Sequence, residues 1–166
     1  MSGKIKILIV DDEERFLQAL AKRLQLRDFD VAAFSNGQAA VAAARKEEFE
    51  LVILDLKMPG MTGEQVLEIL KKEHPLTEVV ILTGHGSIPS AVQCTISGSY
   101  NYLQKPCETE ELLDVLRSAY QRRVQRKLQI DPEEMENRLS VATGESPLGI
   151  LRRLKNMEKA GDGARS

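Results

Sequence analysis

Apolar residues along this chain fall in two alternating rhythms. Short runs rich in Ile, Val and Leu, namely KIKILIV (4–10), VAAF (31–34), LVILD (51–55) and VVILT (79–83), are separated by helix-length stretches, with YNYL (100–103) a weaker fifth run. Three of the runs are apolar almost without alternation, which predicts strands covered on both faces. Between them the spacing is helical. Phe16, Leu17, Leu20 and Leu24 form one stripe, and Val41 sits in an Ala-rich second segment. Val66, Leu67, Ile69 and Leu70 mark a third, Ile88, Ala91, Val92 and Ile96 a fourth, and Leu112, Leu113, Val115, Leu116, Ala119 and Tyr120 a fifth. Turns are expected at Asn36-Gly37, Pro59-Gly60 and Gly84-His85-Gly86, with Ser87 capping a helix that holds Pro89 in its first turn. Five strand-then-helix units predict an α/β fold, a doubly wound five-stranded parallel sheet over residues 4–127.

The remaining residues, 128–166, read as a helical extension. Leu113, Leu116, Tyr120, Val124 and Leu128 carry the fifth helix past the expected domain edge, interleaved with Arg117, Arg122, Arg123, Arg126 and Lys127. Such a basic run is usually a solvated helix face, with contact to an acidic partner or nucleic acid the alternative. Asp131-Pro132-Glu133-Glu134 reads as a helix start, Thr143-Gly144-Glu145-Ser146 as a turn, and Ser146-Pro147 as the start of a second helix carrying Leu148, Leu151 and Leu154. The final GDGARS is expected to be disordered. Two amphipathic helices cannot bury themselves alone, so the extension must dock on the main domain, pair with a second copy or fold against a partner.

Composition narrows the function. The chain has 166 residues, net charge -2, 42% hydrophobic and 4% aromatic residues, and no Trp. That disfavours nucleic-acid binding and leaves no stacking platform for single strands. No apolar run approaches the length of a membrane span and no signal peptide is visible, so no membrane role is expected. Cys94 and Cys107 share no metal-like spacing and make no disulfide framework, consistent with a cytoplasmic location.

In open parallel sheets, ligands bind beyond the carboxyl ends of the strands. Asp11, Asp12, Glu13 and Glu14 follow the first strand, Asp55 ends the third, Thr83 ends the fourth, and Lys105-Pro106 follows the fifth. Singly these are a helix start, a turn former, a turn Thr and an exposed lysine. Together they would crowd three carboxylates into one pocket, which is costly without a cation. Oxygen donors with no His or Cys nearby suit a hard ion, Mg²⁺ in particular, and His85 as a metal ligand is the lesser alternative, since no second His or Cys accompanies it. A phosphate beside that ion could meet the Lys105 ammonium and the Thr83 hydroxyl, and a carboxylate can serve as phosphoryl acceptor.

Asp-Asp after strand 1, D-x-K-M-P-G after strand 3, LTGHG after strand 4 and Y-L-Q-K-P after strand 5 together resemble the response-regulator receiver domain of two-component signalling, over about three-quarters of the chain. The resemblance implies the flavodoxin-like strand order 2-1-3-4-5. It implies that Asp55 accepts a phosphoryl group from a sensor histidine kinase or phosphotransfer protein. Asp12, Asp55 and the backbone carbonyl of Lys57 would bind Mg²⁺ directly, and Asp11 through water. Lys105 would pair with the phosphoryl oxygens, Thr83 would hydrogen-bond them, and Tyr102 would swing inward behind Thr83, remodelling the helix 4–strand 5–helix 5 face for a downstream protein. Lys57 and His85 occupy positions that tune phosphoryl lifetime in this family. Gly98-Ser99-Tyr100-Asn101 and the β-branched Cys94-Thr95-Ile96 depart from the family's commonest pattern without touching the chemistry.

Three functions compete at this point. The leading one is a stand-alone receiver acting through protein contacts, not a turnover enzyme, with a homodimer among its assemblies. The second is a transcription regulator contacting DNA through the basic end of helix 5 and the tail. The third is a metal-dependent phosphohydrolase, which would need a second acid or base where this chain has Lys57.

Overall fold

A computed structural model describes residues 3–139 and 145–165. The strands are β1 (Lys6–Val10), β2 (Asp30–Phe34), β3 (Leu51–Leu54), β4 (Glu78–Thr83) and β5 (Asn101–Gln104). The helices are α1 (Glu14–Gln25), α2 (Gly37–Lys46), α3 (Gly63–Glu73), α4 (Ile88–Ile96), α5 (Thr109–Leu128), α6 (Pro132–Leu139) and α7 (Pro147–Arg165). All five strands are parallel, in the order β2-β1-β3-β4-β5. The weak fifth run forms its strand one residue later than the apolar pattern placed it, because Tyr100 lies before the first β4–β5 pair, Val80 with Asn101.

Strands β3 and β4 are buried throughout and β1 nearly so, as their unbroken apolar runs require. Alternate residues feed two cores. Ile7, Ile9 and Ile53 pack with α1 and α5 on one face, while Leu8, Val10, Val52 and Leu54 pack with α2 and α3 on the other. Helix starts follow local chemistry. Asn36, Thr62 and Ser87 each accept a backbone N–H at the head of α2, α3 and α4, an arrangement worth about 1 kcal/mol apiece.

The fourth apolar stripe faces away from the core: only Cys94 of α4 is buried, while Ile88, Val92 and Ile96 are 83%, 54% and 73% exposed. The disorder expected over the final GDGARS is not found at residues 161–165, where α7 continues to Arg165, and Ser166 lies outside the described residues. Gly161 is where Leu128 packs, so closely that a Cβ at 161 would sit 2.1 Å from its Cδ2, and Asp162 is paired with Lys127. The turn expected at 143–146 lies outside the described residues for 143 and 144, and Ser146 caps α7 by accepting the Gly149 N–H at 3.2 Å.

The extension docks on the main domain. Met135, Leu139, Ile150, Leu151 and Leu154 are buried in the same core as β1, α1 and α5. Residue 127 lies in the last turn of α5, on which α7 packs.

Candidate functional site

The carboxyl ends of the strands converge on an acidic pocket. Strand register aligns Val10 with Leu54, so the residues that follow, Asp11 and Asp55, leave the sheet side by side, with the Asp55 N–H donating to the Val10 carbonyl at 2.9 Å. Asp11 and Asp55 are both buried, and one carboxylate oxygen from each of Asp11, Asp12 and Asp55 lies within 4.8 Å of the others. Asp55 Oδ1 accepts the Leu56 N–H at 2.9 Å, whereas Asp55 Oδ2 is buried with no hydrogen-bond partner. An unsatisfied buried carboxylate oxygen is expensive unless something charged or polar comes to it.

Lys105 reaches the pocket from the end of β5. The Lys105 N–H donates to the Thr83 carbonyl at 2.9 Å, continuing the β4–β5 ladder, and the Lys105–Pro106 peptide is cis. Its ammonium donates to Asp11 Oδ2 at 2.6 Å and Glu13 Oε1 at 3.1 Å, stands 4.0 Å from Asp55 Oδ2, and lies 4.1 Å from the centroid of the Phe16 ring. Burial pulls the Lys105 ammonium down, but the hydrogen bond and charge of Asp11, with Glu13 and Asp55, more than offset it and hold it raised, so it stays protonated. Burial pushes the Asp11 carboxyl up, assisted by the Asp55 charge and opposed by the Lys105 ammonium and the Glu13 N–H.

The other expected residues fall in place around this centre. Thr83 is fully buried at the end of β4, its hydroxyl accepting the His85 N–H at 3.2 Å. Lys57 and His85 line the same cleft as Asp12, beside Leu56, Met58 and Thr62. Tyr102 already lies inward: its hydroxyl is buried without a partner, over Gly86, where a Cβ would stand only 2.7 Å from it. In the sequence Glu13, Phe16 and Gly86 stand only as members of an acid run, a helical stripe and a turn, and Gly63 carries no signal of its own. Gly63 packs under the Asp55 loop, where a Cβ would meet the Asp55 carbonyl oxygen at 2.2 Å. Neither periodicity nor motif shows their part in this pocket, because each acts through a contact across the fold.

The donor set fits a hard divalent cation. Three carboxylates within reach of one point, one with an orphaned oxygen, are what such an ion requires, and no sulfur or imidazole donor joins them within the described residues. Asp55 Oδ2 accepts no hydrogen bond, and the Lys105 ammonium beside it can balance negative charge brought into the pocket.

A fold of this order with this pocket defines the receivers of phosphorylation signals. The chain belongs to the response regulator receiver domain family, whose model matches residues 7–117. It is 35% identical over 111 residues to the response regulator protein FleR of Pseudomonas aeruginosa, covering 67% of this chain and 24% of FleR. It is 39% identical over 113 residues to an uncharacterized transcriptional regulatory protein, YkoG, of Bacillus subtilis, covering 68% of this chain and 50% of that protein. This chain thus spans a quarter to a half of the length of these relatives. A CheY-like receiver domain protein of Methanospirillum hungatei superimposes with a TM-score of 0.72 at 26% identity, covering 74% of this chain and 98% of its own. A Burkholderia pseudomallei response regulator, solved with a phosphorylated aspartic acid, calcium ion and citrate, covers 90% of this chain and 98% of its own with a TM-score of 0.65 at 25% identity. No helix among the described residues is long and apolar enough to cross a membrane.

Proposed function

We propose that this chain is a cytoplasmic response regulator that is phosphorylated on Asp55 by a sensor histidine kinase or phosphotransfer protein and signals to a protein partner through α4, β5 and α5. The observation that carries this reading is Asp55 Oδ2, buried, without a hydrogen-bond partner and 4.0 Å from the Lys105 ammonium inside a trio of carboxylates. In the transfer, Asp55 Oδ2 forms a bond to phosphorus, the phosphorus–nitrogen bond of the donor phosphohistidine breaks, and the imidazole nitrogen keeps the electron pair and takes up a proton. Asp11, Asp12 and Asp55, with the Lys57 carbonyl, would hold Mg²⁺, which supplies charge neutralisation for the phosphoryl oxygens. Lys105 then trades part of its contact with Asp11 for the phosphoryl group, and the Thr83 hydroxyl turns toward it. Lys57 and His85, at the mouth of the cleft, govern how readily water reaches the phosphorus. The chain acts once per phosphorylation and is not a turnover enzyme.

A protein partner is favoured over DNA by the fate of the basic run in α5. Arg122 and Arg126 both bind the buried Glu78 carboxylate, and Arg123 donates to Glu48 at 2.7 Å and Glu158 at 3.2 Å. Lys127 is paired with Glu158 and Asp162, and Arg117 with Asp114. Cations already paired with carboxylates of this chain have less to offer the phosphates of a duplex. The apolar Ile88, Val92 and Ile96 on α4 are instead open to a partner.

Incubation with a small phosphodonor and Mg²⁺ should add one phosphoryl group to the wild-type chain and none to Asp55→Asn, read by intact mass. Labelling of the variant would overturn the assignment. A gel shift at 50 mM and 200 mM salt with beryllofluoride-treated protein should show no duplex binding; a shift that fades at the higher salt would replace the protein partner with DNA.

A further inference from the structure

At the end of the sheet opposite Asp55, a second group of ionisable side chains is buried where α7 meets α5 and the residue before β3. Glu158 of α7 is 3% exposed and Arg123 of α5 is 1% exposed. Tyr120 of α5 places its hydroxyl 2.6 Å from Glu50 Oε2 and against Glu158 Oε2 as well. A phenol hydroxyl has one proton, so it can donate to only one of these two carboxyl groups. The other oxygen must bring a proton of its own and donate to the phenol, or two filled lone-pair surfaces would face each other in a buried site.

The surrounding charges reduce that demand without removing it. Lys155 of α7 binds Glu50 Oε2 at 2.7 Å, and the backbone N–H of Lys6 in β1 donates to Glu50 Oε1 at 3.2 Å. Arg123 and Lys127 of α5 bind Glu158 Oε1, but Arg123 also serves Glu48 and the Leu76 carbonyl, and Lys127 also serves Asp162. The Lys6 ammonium is taken by Glu47 on the rim. Three cations are thus shared among Glu48, Glu50, Glu158 and Asp162.

We propose that α7 is held to the receiver by a proton latch, one exchangeable proton shared by Glu50, Tyr120 and Glu158, and that loss of this proton weakens the hold of the extension on α5. Burial, then the charge and hydrogen bond of Glu50, with Asp162 and Glu48, push the Glu158 carboxyl up to about 8. A carboxyl whose value is raised on docking keeps its proton where the undocked form has lost it. Docking is therefore strongest below the ordinary carboxyl range, weakens steadily as pH rises through neutrality, and levels off once pH passes the raised value. This latch stands apart from the phosphoacceptor chemistry and does not depend on it.

Amide hydrogen exchange of the full chain, expressed as protection relative to the unfolded rate at each pH, reads the latch directly. For release of one proton, protection of α7 should fall about 50-fold between pH 6 and pH 8. Glu158→Gln, which keeps the shape of the neutral acid, should retain α7 protection at pH 6 and lose most of the pH dependence. Glu50→Gln should flatten the same profile, since it removes the neighbouring charge that helps to raise Glu158. Protection of wild-type α7 that stays level from pH 6 to pH 8 would overturn the proposal without any variant. So would a Glu158→Gln chain in which α7 is unprotected at pH 6, because the ionised carboxylate would then be what holds the helix.

Discussion

Single residues decide how the acidic pocket is built. Asp11 and Asp55 meet because β1 and β3 pair in register, and Lys105 enters because its own N–H extends the β4–β5 ladder. Gly63 is equally demanding: its missing side chain leaves room for the Asp55 carbonyl and the Leu56 backbone, both closer than 3 Å to any added Cβ. Gly63→Ala should therefore cost about 1–3 kcal/mol by urea denaturation, as overpacking against rigid backbone does. It should also slow phosphoryl uptake at Asp55. At this scale the sequence was legible where chemistry repeats in a pattern: acids, Thr and Lys at strand ends could be picked out as a set. Glu13 and Phe16 could not, because their role is to hold an ammonium that arrives from residue 105.

At the scale of elements, strand runs announced themselves and helix faces did not. Unbroken Ile, Val and Leu runs can be buried only one way, so β1, β3 and β4 lie where the pattern put them. In α4, Ile88, Val92 and Ile96 have helical spacing, yet spacing alone cannot say whether an apolar face meets the core or another molecule. Here Cys94 takes the inner side and the isoleucines point outward. Replacing Ile88, Val92 or Ile96 singly by Ser should change unfolding free energy by no more than about 0.5 kcal/mol, the usual range for surface sites. A loss of several kcal/mol would mean that these side chains are packed after all. The α5 basic run misleads in the opposite way: read along one helix it looks solvated, but its partners Glu48, Glu78 and Glu158 come from distant parts of the chain.

Across the whole molecule, the extension and the receiver share one core. Sequence reasoning established that α6 and α7 needed cover, and left open whether the receiver, a second copy or a partner supplied it. The structure answers with Met135, Leu139, Ile150, Leu151 and Leu154 buried alongside α1 and α5. The final glycines misled because Gly161, a poor helix former, is tolerated where it lets Leu128 pack closely. Each fully buried aliphatic side chain contributes about 1.5–3 kcal/mol. A chain ended at residue 127 should therefore be less stable than the full chain by several kcal/mol in urea. It should also self-associate, measured by sedimentation, because Tyr120 and Val124 lose their cover. Unchanged stability would show that the extension is only loosely held.

Helix α5 runs 20 residues, about 30 Å, from just beyond Pro106 to the seat of α7. An engineer who fuses a reporter or effector directly after this helix inherits a competition, since the newcomer must either displace α7 or leave its apolar seat bare. Modular swaps in this protein should therefore be joined beyond residue 165, with the whole of the helical cap carried along.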